Sequence, residues 1–179
     1  MNIKAIIFDL GGVLIDWNPN YVFDQMFDDE NRKKHFFENI CTPEWKVYIE
    51  AYYGRWEEML GGPIQETVEI LRKVKEKGRY KLYALTNWSA ETFPDALERY
   101  EFLHWFDGRV VSGVEKMRKP FPEFYQLILD RFKLVPQETL FIDDSVRNVQ
   151  GAAEVGIKAI AFQSPQQLKK AFVEMGILD

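Results

Sequence analysis

Three acidic side chains close two apolar runs of this chain. Ile3-Lys4-Ala5-Ile6-Ile7-Phe8 leads straight into Asp9, and Thr139-Leu140-Phe141-Ile142 leads into Asp143 and Asp144. If both runs are neighbouring strands of one open sheet, the acids share the rim where such sheets bind ligands. Three carboxylates in a small cleft repel one another unless a cation sits among them. Oxygen-only ligation favours a hard ion, Mg²⁺ first. The plainer alternative makes Asp9 a helix cap and Asp143-Asp144 a cap followed by a first-turn acid, positions that also favour negative charge. The pair taken with Asp9 favours a site.

A third apolar run, Leu82-Tyr83-Ala84-Leu85, ends in Thr86-Asn87. The hydroxyl and carboxamide there either bind an anion beside Asp9 or simply form a strand-to-helix turn. Lys116-Met117-Arg118-Lys119-Pro120 adds positive charge ahead of a helix. One buried lysine from this run would neutralise a carboxylate together with a phosphoryl group, whereas a surface run would mean little. Gly11 and Gly12 let the chain leave the first strand sharply and bring backbone amides close to an anion. His35, among charges, and His104, in an aromatic cluster, fit surface or core roles. No nucleophile elbow, Walker loop or dinucleotide fingerprint is present.

The elements that must position these residues follow from periodicity. Strands are expected at Ile3 to Phe8, Tyr80 to Leu85, Arg109 to Ser112, Thr139 to Ile142 and Lys158 to Phe162. Helical spacing separates most of them. Pro63 to Lys77 repeats Ile64, Val68, Leu71 and Val74 before a Gly78 stop, and Phe121 to Phe132 follows Pro120 as a helix starter. A further helix is expected from Val146 to Val155, and a terminal one from Pro165 to Phe172 on the sheet edge. Strands alternating with helices imply parallel pairing, so the expected fold is α/β, a doubly wound, mainly parallel Rossmann-like sheet. Residues 17–62 interrupt the alternation with aromatic, charged and helical sequence and are read as an inserted helical cap, with 1–16 and 63–179 as the core.

The chain has 179 residues, 46% of them hydrophobic, enough to bury a real core. Its net charge of −5 argues against nucleic acid or an anionic membrane as a partner. The lone Cys41 excludes an internal disulfide and fits a reducing compartment, so a cytoplasmic protein, monomeric or weakly dimeric, is expected. No apolar run reaches the length of a membrane span, and no signal-like segment opens the chain.

The order of these pieces resembles the haloacid dehalogenase superfamily of hydrolases over nearly the whole chain. The four motifs are Phe8-Asp9-Leu10-Gly11-Gly12-Val13, Leu85-Thr86-Asn87, Lys119-Pro120 and Phe141-Ile142-Asp143-Asp144-Ser145. Their form is most similar to the branch containing sugar-phosphate phosphatases such as α-glucose-1-phosphate phosphatase. The resemblance implies a phosphomonoester hydrolase acting on a small phosphorylated metabolite. Asp9 would attack phosphorus to give an aspartyl-phosphate. Mg²⁺ would be held by Asp9, the Gly11 carbonyl, Asp144 and Asp143. Thr86, Asn87, Lys119 and the Leu10 amide would bind phosphate oxygens. Lys119 is preferred over Lys116 because the family's lysine precedes proline.

Two departures from the family pattern carry consequences. Most phosphatases of the superfamily have a second Asp two residues after the nucleophile as general acid and base, where this chain has Gly11. General acid–base help is worth about 10²–10⁴-fold, so a slow enzyme, a good leaving group or another proton donor is implied. Asp16, in the following segment, either replaces that acid or, the favoured role, caps or hinges the insert. The gap admits two alternatives, a metal-independent 2-haloacid dehalogenase and a degenerate scaffold that binds without turnover. The insert is also shorter than usual, near Cys41 to Glu50, which implies a more open cleft. Trp17, Trp45, Trp88, Tyr52 and Tyr53 are the candidates for substrate contact there.

Overall fold

The structure, a computed structural model, describes residues 2–27, 29, 31, 33–34 and 53–179. Among these the chain runs β1 (Ala5–Phe8), β2 (Ile15–Trp17), α1 (Asn20–Met26), β3 (Leu60–Pro63), α2 (Gln65–Lys77), β4 (Lys81–Thr86) and α3 (Phe93–Arg99). It continues through β5 (Gly108–Val111), α4 (Ser112–Glu115), α5 (Pro122–Phe132), β6 (Thr139–Asp143), α6 (Val146–Glu154), β7 (Lys158–Ala161) and α7 (Pro165–Glu174). The chain divides into two compact units, Met1–Leu14 with Pro63–Asp179, and Ile15–Gly62.

The larger unit is an α/β, doubly wound domain. Its five strands lie in the order β5-β4-β1-β6-β7 and all pair in parallel. Side chains alternate across the pleat, so each strand feeds both faces. Ile7, Tyr83, Leu85 and Phe141 pack beneath α5 with Phe124 and Ile128. On the opposite face the Phe8 ring meets Phe106 at 6.2 Å and Phe172 at 6.4 Å. Both faces are covered, which is why β1, β4 and β6 read as continuous apolar runs rather than alternating ones.

Helix boundaries follow local chemistry. In α2, Thr67, Ile70, Leu71 and Val74 are buried, and the helix stops at Gly78, whose φ of 62° lies in the left-handed region that glycine occupies without penalty. Pro122, not Pro120, occupies the first turn of α5; Pro120 lies in the preceding loop, ahead of the N-cap residue Phe121. The terminal helix α7 lies on the sheet face through Phe172, against the central strand, rather than on the edge. Neither a cap on Asp9 nor a helix directly after it is found.

The Ile15–Gly62 unit carries two strands that periodicity did not reveal. β2 and β3 pair as a two-stranded sheet; three- and four-residue strands, one containing Gly61-Gly62, are too short to show alternation. Val22, Phe23, Trp56 and Met59 are buried in this unit. Asp16 accepts a hydrogen bond of 2.7 Å from the Tyr21 hydroxyl. A Cβ on Gly61 would lie only 2.1 Å from Asp16 Oδ2, so glycine is what lets β3 pass this carboxylate. His35, Cys41, Trp45 and Tyr52 lie outside the described residues. No helix among the described residues is long and apolar enough to cross a membrane.

Candidate active site

The sheet order places the candidate residues. From β1 the chain builds outward through β4 and β5 on one side, then crosses to β6 and β7 on the other. A crevice at such a reversal is where open α/β sheets bind ligands. Phe8 is in register with Ile142 of β6 and with Ala84 of β4. The next residue of β1, Asp9, therefore emerges level with Asp143. Thr86 ends β4 on the other side of β1 and is buried.

A buried ammonium joins the first and third motifs to the fourth. Lys119 Nζ lies 2.8 Å from Asp9 Oδ2 and 2.7 Å from Asp143 Oδ2. Lys119 is 2% exposed, Asp143 0% and Asp9 7%. A lysine this deep is tolerable only because carboxylates and a ring face compensate it; its Nζ is also 5.6 Å from the centre of the Phe141 ring. Lys116, by contrast, is exposed.

Each charged group is held by backbone or amide partners. Asp9 Oδ1 accepts from the Leu10 amide at 2.8 Å, and the Asp9 amide donates to the Ile142 carbonyl at 2.8 Å. The Leu10 amide, expected to face phosphate, thus orients the carboxylate of Asp9. Asp143 Oδ1 accepts from the Ser145 amide at 2.8 Å, and Asn148 Nδ2 reaches both Asp143 oxygens, at 2.9 and 3.1 Å. The Asn87 side chain brackets the Lys119 backbone, accepting from its amide at 2.9 Å and donating to its carbonyl at 3.1 Å. That carboxamide therefore holds the lysine loop in place.

The third acid, Asp144, directly follows Asp143 at the end of β6. Gly12 has φ +74°, and a Cβ there would sit 2.4 Å from Asp144 Oδ2, so only glycine lets the Gly11-Gly12 turn pass beside that side chain. Ligand atoms of Asp9, Asp143 and Asp144 lie within 4.8 Å of one another. Three ionised carboxylates against one ammonium leave two negative charges. Burial, with help from Asp143, pushes the Asp9 carboxyl up to about 7 despite Lys119. Burial and Asp143 likewise raise Asp144, and burial with Asp143 and Asp9 raises Tyr125. The donor set, all oxygen and short of positive charge, fits a hard divalent cation.

Two residues of this site went unrecognised in the sequence. Asn148 lies five positions past Asp143, in the first turn of α6, and Gly151 lies in the same helix. A Cβ on Gly151 would be 2.4 Å from the Pro120 carbonyl oxygen, so the glycine seats the lysine loop. A glycine inside an exposed-looking helix is the one signal available, since it normally weakens a helix. Of the aromatic candidates, Trp88 is buried with its indole N–H donating to Thr92 Oγ1 at 3.0 Å, whereas Trp17 and Tyr53 are exposed. His104 donates from Nε2 to the Leu97 carbonyl, 2.9 Å away, and takes no part in the acid cluster's hydrogen bonds.

An acid cluster with a buried lysine at the reversal of a doubly wound parallel sheet defines a class of hydrolytic enzymes. The chain belongs to the haloacid dehalogenase-like hydrolase family, whose model matches residues 18–162. It is similar to a sesquiterpene phosphatase of Aspergillus oryzae, 30% identical over 86% of this chain and 87% of that protein. It is also similar to a phosphorylated carbohydrates phosphatase of Thermotoga maritima, 28% identical over 88% and 83% of the two chains. A family enzyme of Bacteroides thetaiotaomicron, solved with magnesium and inorganic phosphate, superposes with a TM-score of 0.68 at 25% identity, covering 90% of this chain and 95% of that one.

Proposed function

We propose that this chain is a Mg²⁺-dependent phosphomonoester hydrolase acting on a small phosphorylated metabolite through an aspartyl-phosphate on Asp9. The observation that carries this is the Lys119 ammonium held between Asp9 and Asp143, with Asp144 beside them. Phosphatases among its relatives, including one for phosphorylated carbohydrates, support the same reading.

An Asp9 carboxylate oxygen forms a bond to phosphorus while the ester P–O bond breaks, and the electron pair leaves with the alcohol oxygen. Water then attacks phosphorus, returning the Asp9 carboxylate and releasing inorganic phosphate. Lys119 favours the ionised nucleophile against the cost of burial and meets the negative charge growing on the phosphoryl oxygens, with the buried Thr86 hydroxyl at the adjacent strand end. Asp143 serves chiefly to aim Lys119, since its oxygens already accept from Lys119, Ser145 and Asn148. Asp9, Asp144, the Gly11 carbonyl and Asp143 would hold Mg²⁺, which when bound offsets the repulsion between carboxylate and phosphate. Gly11 supplies no proton, so departure of the alcohol is favoured for leaving groups that tolerate negative charge.

A metal-independent dehalogenase has no use for three clustered carboxylates, and a scaffold has none for a desolvated nucleophile with a bound lysine. Turnover of p-nitrophenyl phosphate with and without Mg²⁺, beside chloride release from 2-chloropropionate, separates the three. Metal-dependent phosphate release that disappears in Asp9→Asn is the expected result. Chloride release without metal, or neither activity, overturns it.

A further inference from the structure

A cavity of about 690 Å³ opens beside the loop that carries Lys119, lined by Asn87, Trp88, Lys116, Met117, Arg118 and Phe121 among others. We propose that it receives the leaving group of the phosphoester, and that Lys116 and Arg118 select leaving groups carrying a second anionic group. This rests on Asp9 being the nucleophile.

Position comes first. Asn87 lines the cavity while its side chain brackets the Lys119 backbone, so the cavity begins one residue from the lysine that touches Asp9. Its volume falls within the range of small-molecule sites and far exceeds what a phosphoryl group fills. None of the three clustered acids lines it, so its contents lie beside the reacting group rather than on it.

Charge decides the occupant. Glu115, the acid next to Lys116, is committed to Arg131 through bonds of 2.6 and 2.8 Å. Among the described residues, neither Lys116 nor Arg118 forms an ion pair. The Arg118 guanidinium lies over the Phe121 ring at 5.5 Å, which fixes it at the wall, and Phe121 itself is half exposed. Lys116 takes the left-handed C-cap position of α4, at φ 57°, and is exposed there at the cavity's edge. One acid, Glu123, also lines the cavity, against two cations. A neutral sugar or an alkyl chain would leave this wall with an excess positive charge; a second phosphate or a carboxylate would meet it.

The test compares glucose 1,6-bisphosphate with glucose 1-phosphate and glucose 6-phosphate in the presence of Mg²⁺. The wild-type protein should prefer the bisphosphate by about tenfold or more in kcat/KM, expressed mainly in KM, as expected for uniform binding by charged contacts. The preference should shrink as salt rises and fall to about threefold or less in the double variant Lys116→Gln/Arg118→Gln. A wild-type protein indifferent to the second phosphate, or a double variant that keeps the preference, overturns the proposal. Calorimetric titration of the Asp9→Asn protein with the same three sugars reads the preference without turnover. A preference for the bisphosphate there, with no p-nitrophenyl phosphate hydrolysis by the wild type, would uphold the anion pocket and reject the phosphatase. Equal binding beside active hydrolysis would do the reverse.

Discussion

Gly151 of α6 and Pro120 of the lysine loop approach so closely that a Cβ on Gly151 would lie 2.4 Å from the Pro120 carbonyl oxygen. Helix and loop are thereby locked at the spacing that delivers Lys119 to Asp9 and Asp143. In most helices Gly→Ala stabilises by about 1 kcal/mol. Here the sign reverses: Gly151→Ala forces backbone to shift and should destabilise by about 1–3 kcal/mol. Displacing Lys119 by even part of an ångström should lower kcat on the order of tenfold or more. Urea midpoints beside p-nitrophenyl phosphate kinetics check both, and a more stable, fully active variant would contradict the packing argument.

Asn148 donates to both oxygens of buried Asp143. Asn148→Ala removes a donor to a charged acceptor, which should cost about 1.5–3 kcal/mol. Because Asp143 aims Lys119, kcat should fall while KM for p-nitrophenyl phosphate changes little. Asn148→Asp should be worse than alanine, since it sets a fourth carboxylate against Asp143. Comparing the two variants by thermal unfolding and steady-state kinetics reads the charge contribution directly.

Lys119→Met keeps most of the side-chain volume but leaves Asp9 and Asp143 without their shared cation. Breaking a buried pair by removing one partner costs about 3–5 kcal/mol. The Asp9 carboxyl then favours the protonated form more strongly, so the penalty should grow as pH rises from about 5 to 8, the range where protonation stops relieving it. Chemical denaturation at several pH values tests this, and a penalty independent of pH would show that lost packing, not charge, dominates.

The metal-free protein should bind Mg²⁺ in competition with a proton on Asp9. Burial, first, and Asp143 raise that carboxyl from 3.8 to about 7. A folded-state value above the unfolded one contributes stability fully present below about 3.8 and lost as pH rises through about 7. Without metal, this group therefore makes the protein less stable at pH 8 than at pH 5. Mg²⁺ requires the carboxylate, so its apparent affinity should rise up to about tenfold per pH unit below 7 and level off above. Calorimetry in two buffers of different ionisation enthalpy measures the proton released, and chelation by EDTA at pH 8 should lower the melting temperature.

Much of the site is legible in one dimension because strand ends are. Asp9, Thr86 and Asp143 each terminate a run of buried apolar residues, and a parallel sheet covered on both faces makes such runs conspicuous. The roles of Asn87 and Asn148 are not legible, since nothing in residue type or spacing says whether a carboxamide faces a ligand, a backbone or a neighbouring acid. Pro120 misled for a related reason: a proline before a helix suggests a starter, and only the loop's path shows that Pro122 fills that place. β2 and β3 escaped because three or four residues cannot display a period.

Taken alone, the chain's residues determined which runs are buried strands and which acids and hydroxyl end them, because hydrophobic burial forces those runs into one sheet; the choice of Lys119 over Lys116 came from the family resemblance. Only the tertiary structure decided that Lys119 lies between Asp9 and Asp143, that Asn148 and Gly151 hold this arrangement, and that Lys116 and Arg118 face a separate cavity. Those outcomes depend on distances of a few tenths of an ångström between segments tens of residues apart, set by packing rather than by any local pattern.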